Sequence, residues 1–215
     1  MSSTSSGADA RRFTRPPAPQ PPRQPELGPP IPPGWKHNPT SPRRRVVLAV
    51  LALAGLAVAT YLVLYQFRLY HHLWDPFDAE KVVDATFPVP DAFAGVLAYG
   101  AELLLLALGG ADRWRSLPWA CLALGAVLAT GVVVSVALIV LQPTVIGAWC
   151  GFCLLSAALS FALFFLGIGE AMAAWQHVRR ARARGASLGD AVWGRAAWAS
   201  ATTATASGAA ASAGR

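Results

Sequence analysis

The stretch 117-LPWACLALGAVLATGVVVSVALIVL-141 is apolar throughout and contains no Asp, Glu, Lys or Arg. At about 1.5 Å per residue, a helix of this length crosses a hydrocarbon core of about 30 Å. Comparable apolar runs occupy residues 46–67, 91–108 and 149–168. All four runs are continuous and rich in Ala and Leu, whereas membrane strands would alternate apolar and polar residues. We therefore predict an all-α protein, an integral membrane four-helix bundle.

The composition supports a membrane protein and excludes an ordinary soluble domain. Hydrophobic residues make up 54% of the chain, charged residues only 13%, and the mean hydropathy is +0.43. The formal net charge of +7 comes from arginines clustered beside the apolar runs. A nucleic-acid-binding face would instead spread basic residues among aromatic ones. We expect the lipid bilayer as a partner, and no nucleic acid.

Composition also divides the chain into three segments. Residues 1–43 are rich in proline and poor in aliphatic residues, which predicts a disordered tail. Residues 44–170 form the membrane domain. Residues 171–215 begin with a basic stretch and continue as a low-complexity tail of Ala, Ser, Thr and Gly. The expected architecture is a four-helix bundle with disordered cytoplasmic tails.

The basic residues predict the orientation in the membrane. Arginines 43–45 precede the first helix, Arg113 and Arg115 lie between the second and third, and 177-HVRRARAR-184 follows the fourth. Short loops rich in Lys and Arg remain in the cytoplasm. We therefore expect a multi-pass protein of the cell (plasma) membrane with both termini cytoplasmic.

The chain has three cysteines, and two of them stand in 148-AWCGFCLL-155, at the start of the fourth helix. Cys150 and Cys153 should face the non-cytoplasmic side, where a disulfide can persist. The free amides of a helix N-terminus and the second sulfur both favour a thiolate there. We expect Cys150 to be the more exposed sulfur, able to attack a soluble partner, and Cys153 to face a lipid-soluble reactant. Cys121 should lie about 30 Å away and serve as a small buried hydrophobe.

Redox chemistry competes with two other interpretations of this pair. A structural zinc site needs four ligands, and His71 and His72 are the only histidines on the same side. We predict no metal site. Inert packing of two small apolar side chains is the remaining alternative.

The second helix opens with 88-PVPDAFAGVLAYGAELLLL-106, which carries polar residues on one stripe. At 100° per residue, Asp91, Gly95, Tyr99 and Glu102 fall on one face. Gly95 allows close approach of a helix or a flat ring, and Tyr99 offers an aromatic face and a hydroxyl. Glu102 lies near the membrane midplane, where an ionised carboxylate costs several kcal/mol, so we expect it to be protonated or paired. A proton path and a neutral bridge between helices both remain open for it.

Taken together, the CxxC opening the fourth helix and the PVPDAFAGVLAY segment resemble the vitamin K epoxide reductase family, in its bacterial type. The resemblance implies a quinone of the menaquinone or ubiquinone type bound near the outer surface. It implies that Cys153 exchanges electrons with the quinone, and that Cys150 exchanges disulfides with an extracytoplasmic thioredoxin-like dithiol protein. Asp91 stands where the family usually has an asparagine that hydrogen-bonds the quinone, and Tyr99 matches a pocket tyrosine.

The sequence departs from the family pattern at two places. Ala157 replaces a tyrosine one turn after the second cysteine, and residues 68–89 lack the cysteine pair that most members carry. Our leading hypothesis is a membrane thiol/quinone oxidoreductase that couples disulfide formation in extracytoplasmic proteins to quinone reduction. The alternative is a redox-inert scaffold or accessory subunit of the same fold. A small transporter using Glu102 as a coupling carboxylate is a third interpretation.

Overall fold

The computed structural model describes residues 31–67, 69, 82 and 91–195, and this part of the chain is helical without any strand. Three long helices are apolar enough to cross a membrane, and a shorter apolar helix accompanies them. The prediction of an all-α, four-helix membrane bundle is confirmed. In chain order the elements are α1 (Pro42–Gln66), α2 (Asp91–Ala107), α3 (Arg113–Ser116), α4 (Pro118–Leu141), a π-helical turn (Gln142–Ile146), α5 (Gly151–Ala183) and α6 (Leu188–Val192).

The four apolar helices α1, α2, α4 and α5 alternate in direction. Helix α5 packs most extensively against α4, and α1 packs against both α2 and α5. Small residues bring α4 and α5 close together, since a side chain added at Gly125 would overlap Ala171 and one added at Gly167 would overlap Leu128. Prolines stand in the first turns of α1 and α4. Proline is well suited to this position, because the first amides of a helix have no intrahelical acceptor and its missing N–H costs no hydrogen bond.

The alternation gives the bundle two distinct ends. We call the end that holds Cys150 the disulfide end, where α2 and α5 begin. We call the end that holds Arg45, Arg113 and Glu170 the arginine end, where α1 and α4 begin. The first and last apolar helices therefore have their outer termini at the arginine end.

A buried ion pair lies at the arginine end. Arg113 and Glu170 are paired, and neither side chain has any solvent-accessible surface. Arg113 also donates to the carbonyl oxygens of Leu105 (2.8 Å) and Leu108 (3.2 Å), and Arg45 donates to that of Gly109 (2.9 Å). These carbonyls belong to the last turn of α2 and the residues after it, where no intrahelical donor is available. In the sequence Arg113 served only as a sign of topology, and its pairing with Glu170 was not predicted.

The described helices and loops continue on both sides of residues 44–170, the predicted membrane domain. Helix α5 continues to Ala183, well past residue 168. Before α1, Trp35 donates from its indole Nε1 to Gln176 Oε1 (3.1 Å), and Asn38 Nδ2 donates to the Ala111 carbonyl oxygen (2.8 Å). Residues 31–41 therefore pack against the arginine end. The predictions for residues 1–30 and 196–215 lie outside the described residues.

Candidate functional site

Cys150 and Cys153 form a disulfide at the start of α5, with their Cα atoms 5.2 Å apart. Cys150 is the N-cap residue, in an extended conformation, and its Sγ accepts a hydrogen bond from the Cys153 amide at 3.1 Å. The pair thus lies in the first turn of the helix, where backbone amides have no intrahelical acceptor. Cys121 is a free, buried cysteine in α4, as predicted.

A π-helical turn fixes the backbone that leads into Cys150. Gln142, at the start of this turn, is buried, and its Oε1 accepts a hydrogen bond from the Cys150 amide nitrogen at 3.1 Å. Gly147 then takes a left-handed conformation (φ 68°), which residues with a side chain rarely adopt. This residue turns the chain toward α5. Gln142 was not among the predicted site residues. Its signal was a lone amide next to Pro143 at the end of a long apolar run.

The two sulfurs differ in exposure, and in the opposite sense to the one expected. Cys150 has no accessible surface and packs with Leu62, Tyr65 and Val82. Cys153 is partly exposed and lines a cavity. The prediction that Cys150 is the more exposed sulfur is wrong. As the N-cap residue, Cys150 turns inward against α1 and Val82, whereas Cys153 lies one turn later on the face that borders the cavity.

The cavity beside Cys153 has a volume of about 520 Å³ and is enclosed mainly by α2, α4 and α5. Two of its lining residues, Leu97 of α2 and Val134 of α4, are 60% and 48% exposed on the outside of the bundle. The mouth of the cavity therefore opens sideways between these helices, toward the surface that lipid would cover. Alanines supply much of the remaining wall, namely Ala59, Ala92, Ala94, Ala98, Ala101, Ala126 and Ala157. Their small side chains leave the space that larger apolar residues would fill.

Three residues of the predicted α2 stripe line this cavity: Gly95, Tyr99 and Glu102. The site of a Cβ at Gly95 would lie 3.3 Å from the Cβ of Ala59, so α1 and α2 approach closely there. Asp91 is the first residue of α2. Its side chain lies outside the described part of the structure, so its role toward a quinone stays a prediction.

Tyr99 connects α2 to α5 through its hydroxyl group. This oxygen lies 2.9 Å from both the carbonyl oxygen and the Oγ of Ser156, and 3.0 Å from the Oγ of Ser160. Its ring packs against Gly55 of α1, where an added Cβ would overlap it. A phenol has one hydrogen to donate, so the serine hydroxyls must donate to Tyr99 in at least one of these contacts.

Within the described ranges, no group of three or more His, Cys, Asp or Glu side chains comes together to hold a metal ion. His71 and His72, which the sequence analysis weighed as metal ligands, lie outside those ranges. Among the described residues, the polar groups around the cavity are the disulfide, the hydroxyl groups of Tyr99, Thr130 and nearby serines, and the Glu102 carboxyl group.

The model of the family described as "Vitamin K epoxide reductase family" matches residues 46–168, a range that includes the disulfide and the cavity. No curated protein matches the chain.

Proposed function

The chain belongs to the vitamin K epoxide reductase family, and on that premise we propose that it is a membrane thiol/quinone oxidoreductase of bacterial type. It couples disulfide formation in extracytoplasmic proteins to quinone reduction. The observation that carries this proposal is the disulfide whose Cys153 lines a cavity with a mouth on the lipid-facing surface. We place the protein in the cell membrane with both termini cytoplasmic, because its arginines cluster at one end of the bundle.

The cavity has the character of a quinone site. Ligand pockets of this kind are mostly apolar and contain a few polar groups that orient the ligand. The alanine-rich wall, the lateral mouth and the partly exposed Cys153 match that description, so the residues present fit a quinone of the menaquinone or ubiquinone type. A bound quinone supplies an acceptor for two electrons and two protons.

In this proposal the two cysteines have separate tasks. Cys153, which borders the cavity, is the sulfur that exchanges electrons with the quinone. Cys150 exchanges disulfides with an extracytoplasmic thioredoxin-like dithiol protein. In that exchange two thiols of the partner are oxidised to a disulfide while the Cys150–Cys153 bond is reduced to two thiols. The amides at the start of α5 favour the thiolate form of either sulfur.

The partner must reach Cys150 directly, since residues 68–89 contain no cysteine that could relay electrons. Cys150 is covered in the disulfide state by Leu62, Tyr65 and Val82. These side chains must move aside before a protein thiol can attack in line with the disulfide. We therefore propose that exchange with a protein partner involves opening at the disulfide end.

Gly95, Tyr99 and Asp91 complete the proposed quinone site. Gly95 leaves room for a ring beside α2, and Tyr99 offers an aromatic wall. The Tyr99 hydroxyl is engaged with Ser156 and Ser160, so its main contribution is to hold α5 and Cys153 against the cavity. Asp91 is proposed to hydrogen-bond a quinone oxygen at the disulfide end.

A direct test measures quinone reduction by the purified protein with dithiothreitol and menadione, followed by absorbance. Cys150→Ser and Cys153→Ser should each lower the rate at least about 100-fold, because both thiols are consumed in forming the disulfide. Cys121→Ala is the matched control and should keep the wild-type rate, since Cys121 is buried in α4 away from the cavity. Serine variants as fast as the wild type would remove the proposal.

Trapping separates the enzyme from a redox-inert scaffold. In cells, Cys153→Ser leaves Cys150 able to hold a partner as a mixed disulfide. Capture of an extracytoplasmic dithiol protein through Cys150 supports the oxidoreductase. Binding of partners only through residues 1–42, with no mixed disulfide, supports the scaffold.

A further inference from the structure

Glu102 is a buried acid whose environment the proposed roles above leave unexplained. It lies on α2, one turn beyond Tyr99, is only 3% exposed, and lines the cavity. Its Oε2 is buried and has no hydrogen-bond partner. Among the described residues no cation pairs with it, in contrast to Glu170, which is paired with Arg113.

Burial without a paired cation favours the neutral form of this acid. Ionising a carboxyl group in an apolar region of the membrane without a paired cation costs several kcal/mol. A neutral carboxyl group offers one O–H donor and one carbonyl acceptor. An unsatisfied buried polar atom is itself costly, and it is typically retained where a ligand or water completes its hydrogen bonding.

A row of hydroxyl groups runs along the cavity wall from Cys153 toward this acid. Cys153, Ser156 and Ser160 are spaced three and four residues apart on α5, so they share one face of the helix. The Tyr99 hydroxyl lies within hydrogen-bond distance of both serine Oγ atoms, at 2.9 and 3.0 Å. Glu102 is three residues after Tyr99 on the same face of α2. The wall thus carries proton-bearing groups from the disulfide to the depth of Glu102.

We propose that Glu102 forms a second polar subsite of the cavity. Its carboxyl group hydrogen-bonds the quinone oxygen that lies farther from Cys153 and exchanges a proton with that oxygen. This inference rests on the proposed function, and it adds a catalytic residue to the two cysteines.

The two thiols supply the protons that quinone reduction consumes. Oxidation of Cys150 and Cys153 breaks two S–H bonds, forms one S–S bond and releases two electrons and two protons. Glu102 gives one proton at the remote oxygen and is reprotonated by one of those the thiols release, which the Ser156, Tyr99 and Ser160 hydroxyls can pass along the wall toward it. The other thiol proton goes to the quinone oxygen nearer Cys153, so the quinone takes up two electrons and two protons. Glu102 therefore returns to its starting state after each turnover.

The test compares Glu102→Gln and Glu102→Leu with the wild type in the full-length protein, using menadione as the probe. Glutamine keeps an N–H donor of the same size, so the dissociation constant for menadione should change by less than about threefold. Leucine removes the donor and should weaken binding about tenfold. The rate of quinone reduction should fall at least about 100-fold in both variants, the usual range for loss of an acid–base group.

A spectroscopic readout reports on Glu102 without turnover. Addition of menadione should shift the C=O band of a protonated carboxylic acid in the infrared difference spectrum, and this feature should vanish in Glu102→Gln. Thr130→Val is the matched control in the same cavity. Its hydroxyl is already bound to the Ala126 carbonyl (2.9 Å), so removing it should leave the band and the affinity unchanged.

The outcomes separate this inference from the proposed function. A carboxyl band insensitive to menadione, together with Glu102→Leu binding and reacting as well as the wild type, overturns the role of Glu102 while the cysteines keep theirs. If the wild type fails to reduce menadione but still shows the Glu102-dependent band shift, the subsite stands as a binding site and the oxidoreductase proposal fails.

Discussion

Replacing Gly55 with alanine should disturb the site from the far side of the bundle. The ring of Tyr99 packs on Gly55 of α1, and an added Cβ would overlap three of its ring atoms. A side chain can often swing away from such an overlap at little cost. Tyr99 cannot do so freely, because its hydroxyl is bonded to Ser156 and Ser160 of α5.

The expected loss of stability has two sources, overpacking at Gly55 and the lost hydrogen bonds of Tyr99. Overpacking a tightly filled site typically costs about 1–3 kcal/mol. Moving the ring far enough to relieve the overlap also breaks the contacts of Tyr99 with Ser156 and Ser160, each worth about 1 kcal/mol. We expect Gly55→Ala to destabilise the protein by about 3–5 kcal/mol. The rate of quinone reduction should fall as well, since α5 and Cys153 lose their attachment to α2.

A double-mutant cycle isolates the cause. Thermal unfolding in detergent, followed by circular dichroism, is measured for Gly55→Ala, Tyr99→Ala and the double variant. Because Tyr99→Ala removes the ring, adding Gly55→Ala to it should cost almost nothing, so the two substitutions should be strongly non-additive. Tyr99→Phe serves as the control that keeps the ring and removes only the hydroxyl. A full penalty for Gly55→Ala in the Tyr99→Ala background would refute the reasoning.

Three further predictions concern other parts of the structure. Glu170→Ala should destabilise the bundle by about 3–5 kcal/mol because it leaves Arg113 buried and unpaired. The double variant Arg113→Met/Glu170→Leu should recover most of the thermal stability. If Glu170→Ala is as stable as the wild type, Arg113 does not need this partner. Gln142→Leu removes the acceptor of the buried Cys150 amide and should cost about 1–3 kcal/mol, while Gln142→Glu, which keeps an acceptor, should be milder in the same melting assay. In a cysteine-free background expressed in bacteria, Phe67→Cys should react with an impermeant maleimide in intact cells and Arg184→Cys only after permeabilisation; the reverse pattern would invert the proposed orientation.

Much of the fold could be predicted because the deciding forces are local. In a bilayer core the backbone must satisfy its own hydrogen bonds, and a continuous apolar segment can do so as a helix. The run 117–141 therefore corresponds closely to α4, Pro118–Leu141. Boundaries outside the membrane were harder to predict, since water competes for the backbone there. Helix α5 continues through a basic stretch to Ala183 because it packs on its neighbours at the arginine end.

By itself, the sequence determined the number of apolar helices, their alternating directions and the position of two thiols in the first turn of the last one. Only the tertiary structure decided that Cys150 is buried while Cys153 borders the cavity, that Tyr99 is bonded to α5, and that Arg113 is paired with Glu170. The reason is physical. Membrane helices are apolar on every face, so their residue pattern says little about how each helix is rotated toward its neighbours. Those rotations are set by close packing at residues such as Gly55 and Gly125, between segments far apart in the chain.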